Sequence, residues 1–263
     1  MSASATPLSL SVIVTTLRTA GCVFAEDEAR LLVSAAADPA ELAALVDRRV
    51  AGLPLEHVLG WAEFRGLRIA VDPGVFVPRR RTEFLVEQAV SVARPGAVVV
   101  DLCCGSGALG AALVAEVADV EVYAADIDPA AVRCARRNLR ADRVHQGDLY
   151  TPLPASLRGR IDVLIANTPY VPTEEIQLLP SEARIHEPRV ALDGGSDGLD
   201  VQRQVAAEAL DWLAPGGRLL VETSERQTAL TVEVFRRGGL LPRVVESAEW
   251  HATVVVGTRP TAG

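Results

Sequence analysis

Asn167-Thr168-Pro169-Tyr170 follows directly on the apolar run Ile161–Ala166. The tetrapeptide brings three things to one point: the side-chain amide oxygen of Asn167 as a hydrogen-bond acceptor, a backbone turn stiffened by Pro169, and the flat face of Tyr170. A planar amide or amino group is what such a set would hold, and methyl transfer to its nitrogen is the chemistry it suggests. An amide nitrogen is a poor nucleophile because its lone pair is delocalised into the carbonyl. Acceptors on Asn167 and on the backbone carbonyl preceding Pro169 would each take one N–H and favour the pyramidal nitrogen of the transition state over the flat ground state. Catalysis is then mostly positioning, and no strong general base is required. The same four residues also suit an ordinary strand-ending turn in which Asn167 caps, Pro169 stops and Tyr170 packs, so their neighbours must decide.

Upstream, Asp101-Leu102-Cys103-Cys104-Gly105-Ser106-Gly107 lies between a strand-like run and a helical stretch, where glycines let a ligand approach the backbone closely. A second acidic residue, Asp126, ends the next strand and suits ribose hydroxyls. Gly147-Asp148-Leu149 ends the third, where Asp148 suits an exocyclic adenine amine and Leu149 the face of the ring. Gly105-x-Gly107-x-x-Gly110 is only a shifted form of the dinucleotide fingerprint. Asp101 before the turn suits a cofactor with a cationic amino-acid tail better than one carrying phosphates, and S-adenosylmethionine (SAM) has such a tail. Taken singly, each glycine reads as a simple turn and each aspartate as a helix cap. Their order at successive strand ends argues for a cofactor site.

The elements that must position these groups divide the chain. Residues 1–53 read as a small helical domain, with helices expected over 8–20, 26–37 and 39–51. Residues 54–82 read as β-prone pieces forming a hairpin linker, broken at Gly66 and closed by Asp72-Pro73-Gly74. In 83–263, strand-like runs at Val98–Leu102, 120–125, Val144–Gln146, Ile161–Ala166 and 218–222 alternate with helical stretches. Strands apolar on both faces imply a parallel sheet covered on each side, with ligands at the strands' carboxyl ends. Two last runs, 241–245 and 253–257, stand too close for a crossover helix and predict an antiparallel hairpin at the edge of a seven-stranded α/β sheet.

A chain of 263 residues with 49% hydrophobic content can bury a sizeable core. The formal charge of −8 disfavours a protein that works by neutralising phosphates. The four cysteines form no C-x-x-C pair, and the four histidines show no ligand spacing, so no disulfide framework and no metal are expected. His57 reads as structural. The start of the chain shows no basic segment leading into a long apolar core, and no run approaches the roughly 18 apolar residues of a membrane span. A cytoplasmic protein without a membrane partner is expected.

These residues, with their flanks, resemble the HemK/PrmC group of protein-glutamine N-methyltransferases, within the class I SAM-dependent methyltransferases. The similarity spans about residues 54–260. It is carried by Pro54-Leu55-x-His57-x-Leu59-Gly60 with Glu63-Phe64, by Phe76-Val77-Pro78-Arg79 with Thr82-Glu83, and by Glu187-Pro188, Ala191-Leu192, Gly194-Gly195 and Asp197-Gly198-Leu199. The tetrapeptide is usually Asn-Pro-Pro-Tyr in that group, and here Thr168 replaces the first proline. Cys103 takes the place of the first glycine of the usual cofactor turn, Arg80-Arg81 replace a more neutral or acidic pair, and the N-terminal bundle is short.

The resemblance implies a Rossmann-like class I methyltransferase domain. It also implies SAM held by Asp101, Cys103, Cys104, Gly105, Ser106, Gly107, Asp126, Asp148, Leu149 and Asn167. Asn167, Thr168, Pro169 and Tyr170 would bind the acceptor, with Asn167, Pro169 and Tyr170 catalytic, and Arg79 is a further candidate for the active-site wall. The implied substrate is a glutamine side-chain amide in a protein, the Gly-Gly-Gln loop of a peptide chain release factor in translation termination. Three other readings stay open: an exocyclic amine of a nucleic acid, a small-molecule amine, and a non-catalytic SAM-binding protein.

Overall fold

The structure, a computed structural model, describes residues 8–261. It opens with three helices, α1 (Leu10–Thr19), α2 (Ala25–Ala35) and α3 (Pro39–Val50). Ser9 caps α1 by accepting from the Val12 N–H, and Asp38 caps α3 by accepting from the Ala40 and Glu41 N–H groups at 2.8 Å each. Ile13 and Leu17, one helical turn apart, pack with Ala25, Ala29, Leu32, Leu45 and Val46 into a small core of their own.

The next segment departs from the sequence expectation at both ends. The sequence of residues 54–82 is β-prone in pattern, but Pro54 leads into one helical turn, α4 (Leu55–Leu59), which Gly60 closes at φ +79°. Only then comes the antiparallel hairpin of β1 (Trp61–Phe64) and β2 (Leu67–Ala70), turning at Arg65-Gly66. The segment ends in a single 3₁₀ turn, Arg80–Thr82, leading into α5 (Glu83–Val92). His57 is buried and its Nε2 lies 2.8 Å from the Val75 carbonyl, so it ties α4 to the chain beyond the hairpin.

The remaining elements are β3 (Val98–Leu102), α6 (Ala108–Glu116), β4 (Glu121–Asp126), α7 (Pro129–Asn138), β5 (Val144–Gln146), β6 (Ile161–Ala166), α8 (Ser181–His186), α9 (Asp200–Trp212), β7 (Leu213–Thr223), α10 (Thr228–Arg237), β8 (Leu241–Ser247) and β9 (Ala252–Thr258). Seven strands form one sheet in the order β5-β4-β3-β6-β7-β9-β8. The first five are parallel, and β9 runs antiparallel between β7 and β8. Alternation along each strand feeds two cores: Val99, Val163, Ile165 and Leu220 pack with α5 and α6, whereas Val98, Val100, Leu102, Leu164 and Val221 pack with α9 and α10.

The chain leaves β3 toward β4 and β5, then returns to the other side of β3 as β6, so the winding reverses between β3 and β6. Loops diverge there and leave a crevice at the carboxyl ends. The register puts Leu102 opposite Ala166 on one side and Ala125 on the other, with Ala125 opposite His145. The residues that follow this row, Cys103, Asp126 and Asn167, therefore emerge side by side.

At the far edge, the packing of α10 on the sheet leaves no room for a side chain at position 257, where an added Cβ would sit 2.5 Å from the Phe235 ring. Gly257→Ala is expected to cost about 1–3 kcal/mol, read as a lower urea midpoint at unchanged m value.

Candidate functional site

The turn after β3 is built on unusual backbone. Cys103 has φ +54°, a conformation rare for a residue with a side chain, and Gly105 and Gly107 have φ +54° and +76°. A side chain at Gly107 would collide with Leu139, whose Cδ1 lies 2.9 Å from the site of an added Cβ. The turn is fastened from the neighbouring strand: Asp126 accepts from the Gly105 N–H at 2.8 Å with one carboxylate oxygen and from the Asp128 N–H at 2.9 Å with the other. Asp128 in turn caps α7 through the Ala130 N–H. Leu149 adopts φ +44° where the chain leaves β5.

A cavity of about 280 Å³ opens over these turns. Its wall carries Cys103, Cys104, Gly105, Ser106, Asp126, Asp148 and Leu149 from the expected cofactor end, and Asn167, Thr168, Pro169 and Tyr170 from the expected reacting end. Two expected residues are not on it. Gly107 stands behind the wall as the residue from which α6 starts. Asp101 is wholly buried beneath the turn, because β3 alternation turns it with Val99 toward α6, where it accepts from the Gly110 N–H at 3.1 Å. Its role here is to cap α6, and its other oxygen has no partner. Gly110 is a packing residue, since a Cβ there would lie 3.1 Å from Val122.

Burial pushes the Asp101 carboxyl up to about 7, with the nearby Asp126 charge adding to the shift and the Gly110 N–H opposing it. Burial also pushes the thiols of Cys103 and Cys104 well up, and the carboxylates of Asp101 and Asp126 push the same way.

At the reacting end, the Asn167 Nδ2 donates to the Thr82 hydroxyl at 3.4 Å, which turns the amide so that its oxygen is the free acceptor. That oxygen is buried with no partner, as is the Thr168 hydroxyl. Among the described residues nothing donates to the Thr168 carbonyl. The following backbone is pinned: the Val171 N–H donates to the Leu192 carbonyl, the Gly194 N–H to the Val171 carbonyl, and Gln227 Nε2 to the carbonyls of Tyr170 and Asp197 at 2.9 Å each. The glycines of the 194–198 loop allow that approach. A Cβ at Gly194 would lie 2.7 Å from the Pro169 carbonyl oxygen, and one at Gly198 would overlap that of Tyr170. The Arg81 guanidinium covers the Tyr170 ring at 5.5 Å and pairs with Glu222 at 3.0 Å.

The flanking motifs clamp the rim. Buried Glu187 accepts from the Val77 N–H at 3.1 Å and pairs with Arg79 at 2.6 Å. Arg79 therefore lies off the wall, packed over Phe76, while Phe76, Pro78 and Pro188 face the cavity. Thr82 and Phe76 also line the cavity, and no side-chain pattern in the sequence marks them for it. The signal that could have found them is their place in the Phe76–Glu83 motif.

A family model described as "Methyltransferase small domain" matches residues 66–197. Among curated proteins, the release factor glutamine methyltransferase of Geobacter sulfurreducens is 40% identical over 211 residues, covering 77% of this chain and 72% of that protein. The enzyme of the same name from Mycolicibacterium smegmatis is 41% identical over 220 residues, covering 81% and 78%. The chain belongs to the release factor glutamine methyltransferase family. SAM is accordingly its methyl donor. Solved structures agree with this family's fold: a methyltransferase from Pyrococcus furiosus aligns with a TM-score of 0.56 at 17% identity over 81% of this chain and 97% of that one. A ribosomal protein L11 methylase from Lactobacillus delbrueckii aligns with a TM-score of 0.52 at 15% identity, over 73% and 85%.

The buried carboxyl under the turn leaves a measurable trace in this family member. From 3.8 up to about 7 the folded chain keeps the Asp101 proton while the unfolded chain has lost it, so this group's contribution to stability declines as pH rises through that window. Asp101→Asn removes the decline. Unfolding free energy measured against pH should fall more steeply for the parent protein than for the variant.

Proposed function

We propose that this enzyme transfers the methyl group of SAM to the side-chain amide nitrogen of a glutamine in a peptide chain release factor. The observation that carries the reading is the pair of unsatisfied acceptors at the reacting end. The Asn167 amide oxygen is buried without a partner, and the Thr168 carbonyl one residue on receives no hydrogen bond among the described residues. An unpaired buried acceptor is costly, and a primary amide supplies the two N–H groups that would satisfy both. Relatives named for glutamine methylation of release factors support the choice of that amide.

In this reading Cys103, Cys104, Gly105, Ser106, Asp126, Asp148 and Leu149 hold the donor, and the aspartates suit its cationic and hydroxyl-bearing groups. SAM supplies an electrophilic methyl on a sulfonium sulfur. The chain's own residues do the rest. Asn167 and the Thr168 carbonyl grip the two N–H groups and draw the nitrogen toward the pyramidal geometry of the transition state. Thr82 holds the Asn167 amide in the accepting orientation. Tyr170, stiffened by Pro169 and covered on one side by Arg81, bounds the planar group, and Phe76 and Pro78 help exclude water. Thr168 keeps the carbonyl that a proline would offer and adds a buried hydroxyl. Residues 1–53, 54–82 and 83–263 act as helical appendage, linker and catalytic domain.

Asn167→Ala is expected to lower kcat by about 10²–10³-fold in a radiolabelled methyl-transfer assay with a release factor as acceptor. SAM affinity is followed by calorimetry on the same variant. Undiminished transfer with SAM bound would rule out the acceptor role. Thr82→Val keeps the shape of a buried side chain and removes the hydroxyl that partners the Asn167 amide and stands beside the Glu222 carboxylate. It should lower kcat by up to about tenfold, the worth of one hydrogen bond, with KM little changed.

A further inference from the structure

The cofactor turn is fastened at a second point, from the far end of the same β4–α7 unit whose Asp126 holds the Gly105 N–H. Asn138, the last residue of α7, donates through Nδ2 to the Ser106 carbonyl at 2.8 Å. The same nitrogen donates to the Ala70 carbonyl at 2.9 Å, and Asn138 Oδ1 accepts from the Ala70 N–H at 2.9 Å. Both hydrogens and the oxygen of one primary amide are thus in use.

Ala70 ends β2, 68 residues before Asn138 in the chain. Asn138 takes both of its backbone groups, as a neighbouring strand would. Cys134 Sγ donates to the same Ala70 carbonyl at 3.1 Å, and Arg137 pairs with Asp72. The last turns of α7 therefore grip the end of the hairpin with three side chains, and of these only Asn138 also reaches the cofactor turn among the described residues. From Ala70 the chain runs through buried Val71 and Val75 to Phe76 and Pro78 on the cavity wall. One amide thus joins two parts of that wall, the turn at Ser106 and the segment that carries Phe76.

We propose that Asn138 is a positioning residue for methyl-donor binding: its amide locks the cofactor turn to the hairpin, so that SAM seated on the turn also restrains the hairpin and the wall residues that follow it. The proposal rests on the reading that the turn from Cys103 to Gly107 holds SAM. Asn138 is not on the cavity wall and acts through the backbone it holds. That backbone needs holding, because Cys103, Gly105 and Gly107 all have positive φ, and strain such as that at Cys103 persists only where the surroundings enforce it. A turn already ordered spares SAM the cost of ordering it.

Asn138→Asp keeps the shape of the side chain and the acceptor for the Ala70 N–H, and it removes both donated bonds. In the full-length protein it should raise the SAM dissociation constant by about tenfold, measured by calorimetry well below the melting transition. Gly257→Ala, which loosens the far edge of the sheet, is the stability control and should leave SAM affinity unchanged. Hydrogen exchange gives a readout that needs no variant: SAM should slow amide exchange across residues 67–72 of the unaltered protein, and Asn138→Asp should abolish that slowing. Gly105→Leu tests the underlying reading, since it puts a side chain into open space on the cavity wall, and should abolish SAM binding. Three results overturn the positioning role while the cofactor reading stands: unchanged affinity in Asn138→Asp beside a loss in Gly105→Leu, a loss in Gly257→Ala equal to that in Asn138→Asp, or exchange across 67–72 that SAM leaves alone. Undiminished binding in Gly105→Leu overturns the cofactor reading and the positioning role together.

Discussion

The register between β3 and β6 is the constraint on which the site depends. Leu102 lies opposite Ala166, and the same row runs through Ala125 on one side and Val221 on the other. The turn beginning at Cys103, the acid Asp126 and the tetrapeptide beginning at Asn167 all leave the sheet from that row. A slip of one residue between β3 and β6 would send each following side chain to the opposite face. Burial of both faces of these strands makes such a slip costly, because Val99 and Val163 pack on one side and Val100 and Leu164 on the other. Packing of the apolar sheet thus sets the spacing of polar groups that never touch the core.

Precision at the reacting end comes from backbone, and much of it is supplied from far away in the chain. Gln227 bridges the carbonyls of Tyr170 and Asp197, the backbone of the 192–195 segment pairs with Val171 and Thr173, and the glycines at 194 and 198 permit contact that no side chain would allow. This lattice restrains the backbone beside Thr168, which stands where the first proline is usual. The backbone there is already held on its far side, so the loss of one ring's stiffness at position 168 falls on a segment that other bonds restrain.

The sequence disclosed the sheet well, because its strands are short apolar runs separated by helices and turn residues. Val98–Leu102, Val144–Gln146 and Ile161–Ala166 form as expected, and the closing hairpin is antiparallel at the edge. What it disclosed poorly were facts about direction and distance. Asp101 stands at the right strand end, yet the two-residue period of β3 aims it under α6 and away from the cavity. Thr82 lies 85 residues from the Asn167 that it orients, and no local pattern links them. The helical turn at Leu55–Leu59 was hidden by its shortness and by Pro54, which reads as a break when it is in fact the start.

Cys103 and Cys104 put two thiols on the wall of the cavity that would receive the methyl donor. A thiolate is a far better nucleophile than an amide nitrogen. Burial and the surrounding carboxylates push both thiols well up, which favours the less nucleophilic, protonated form.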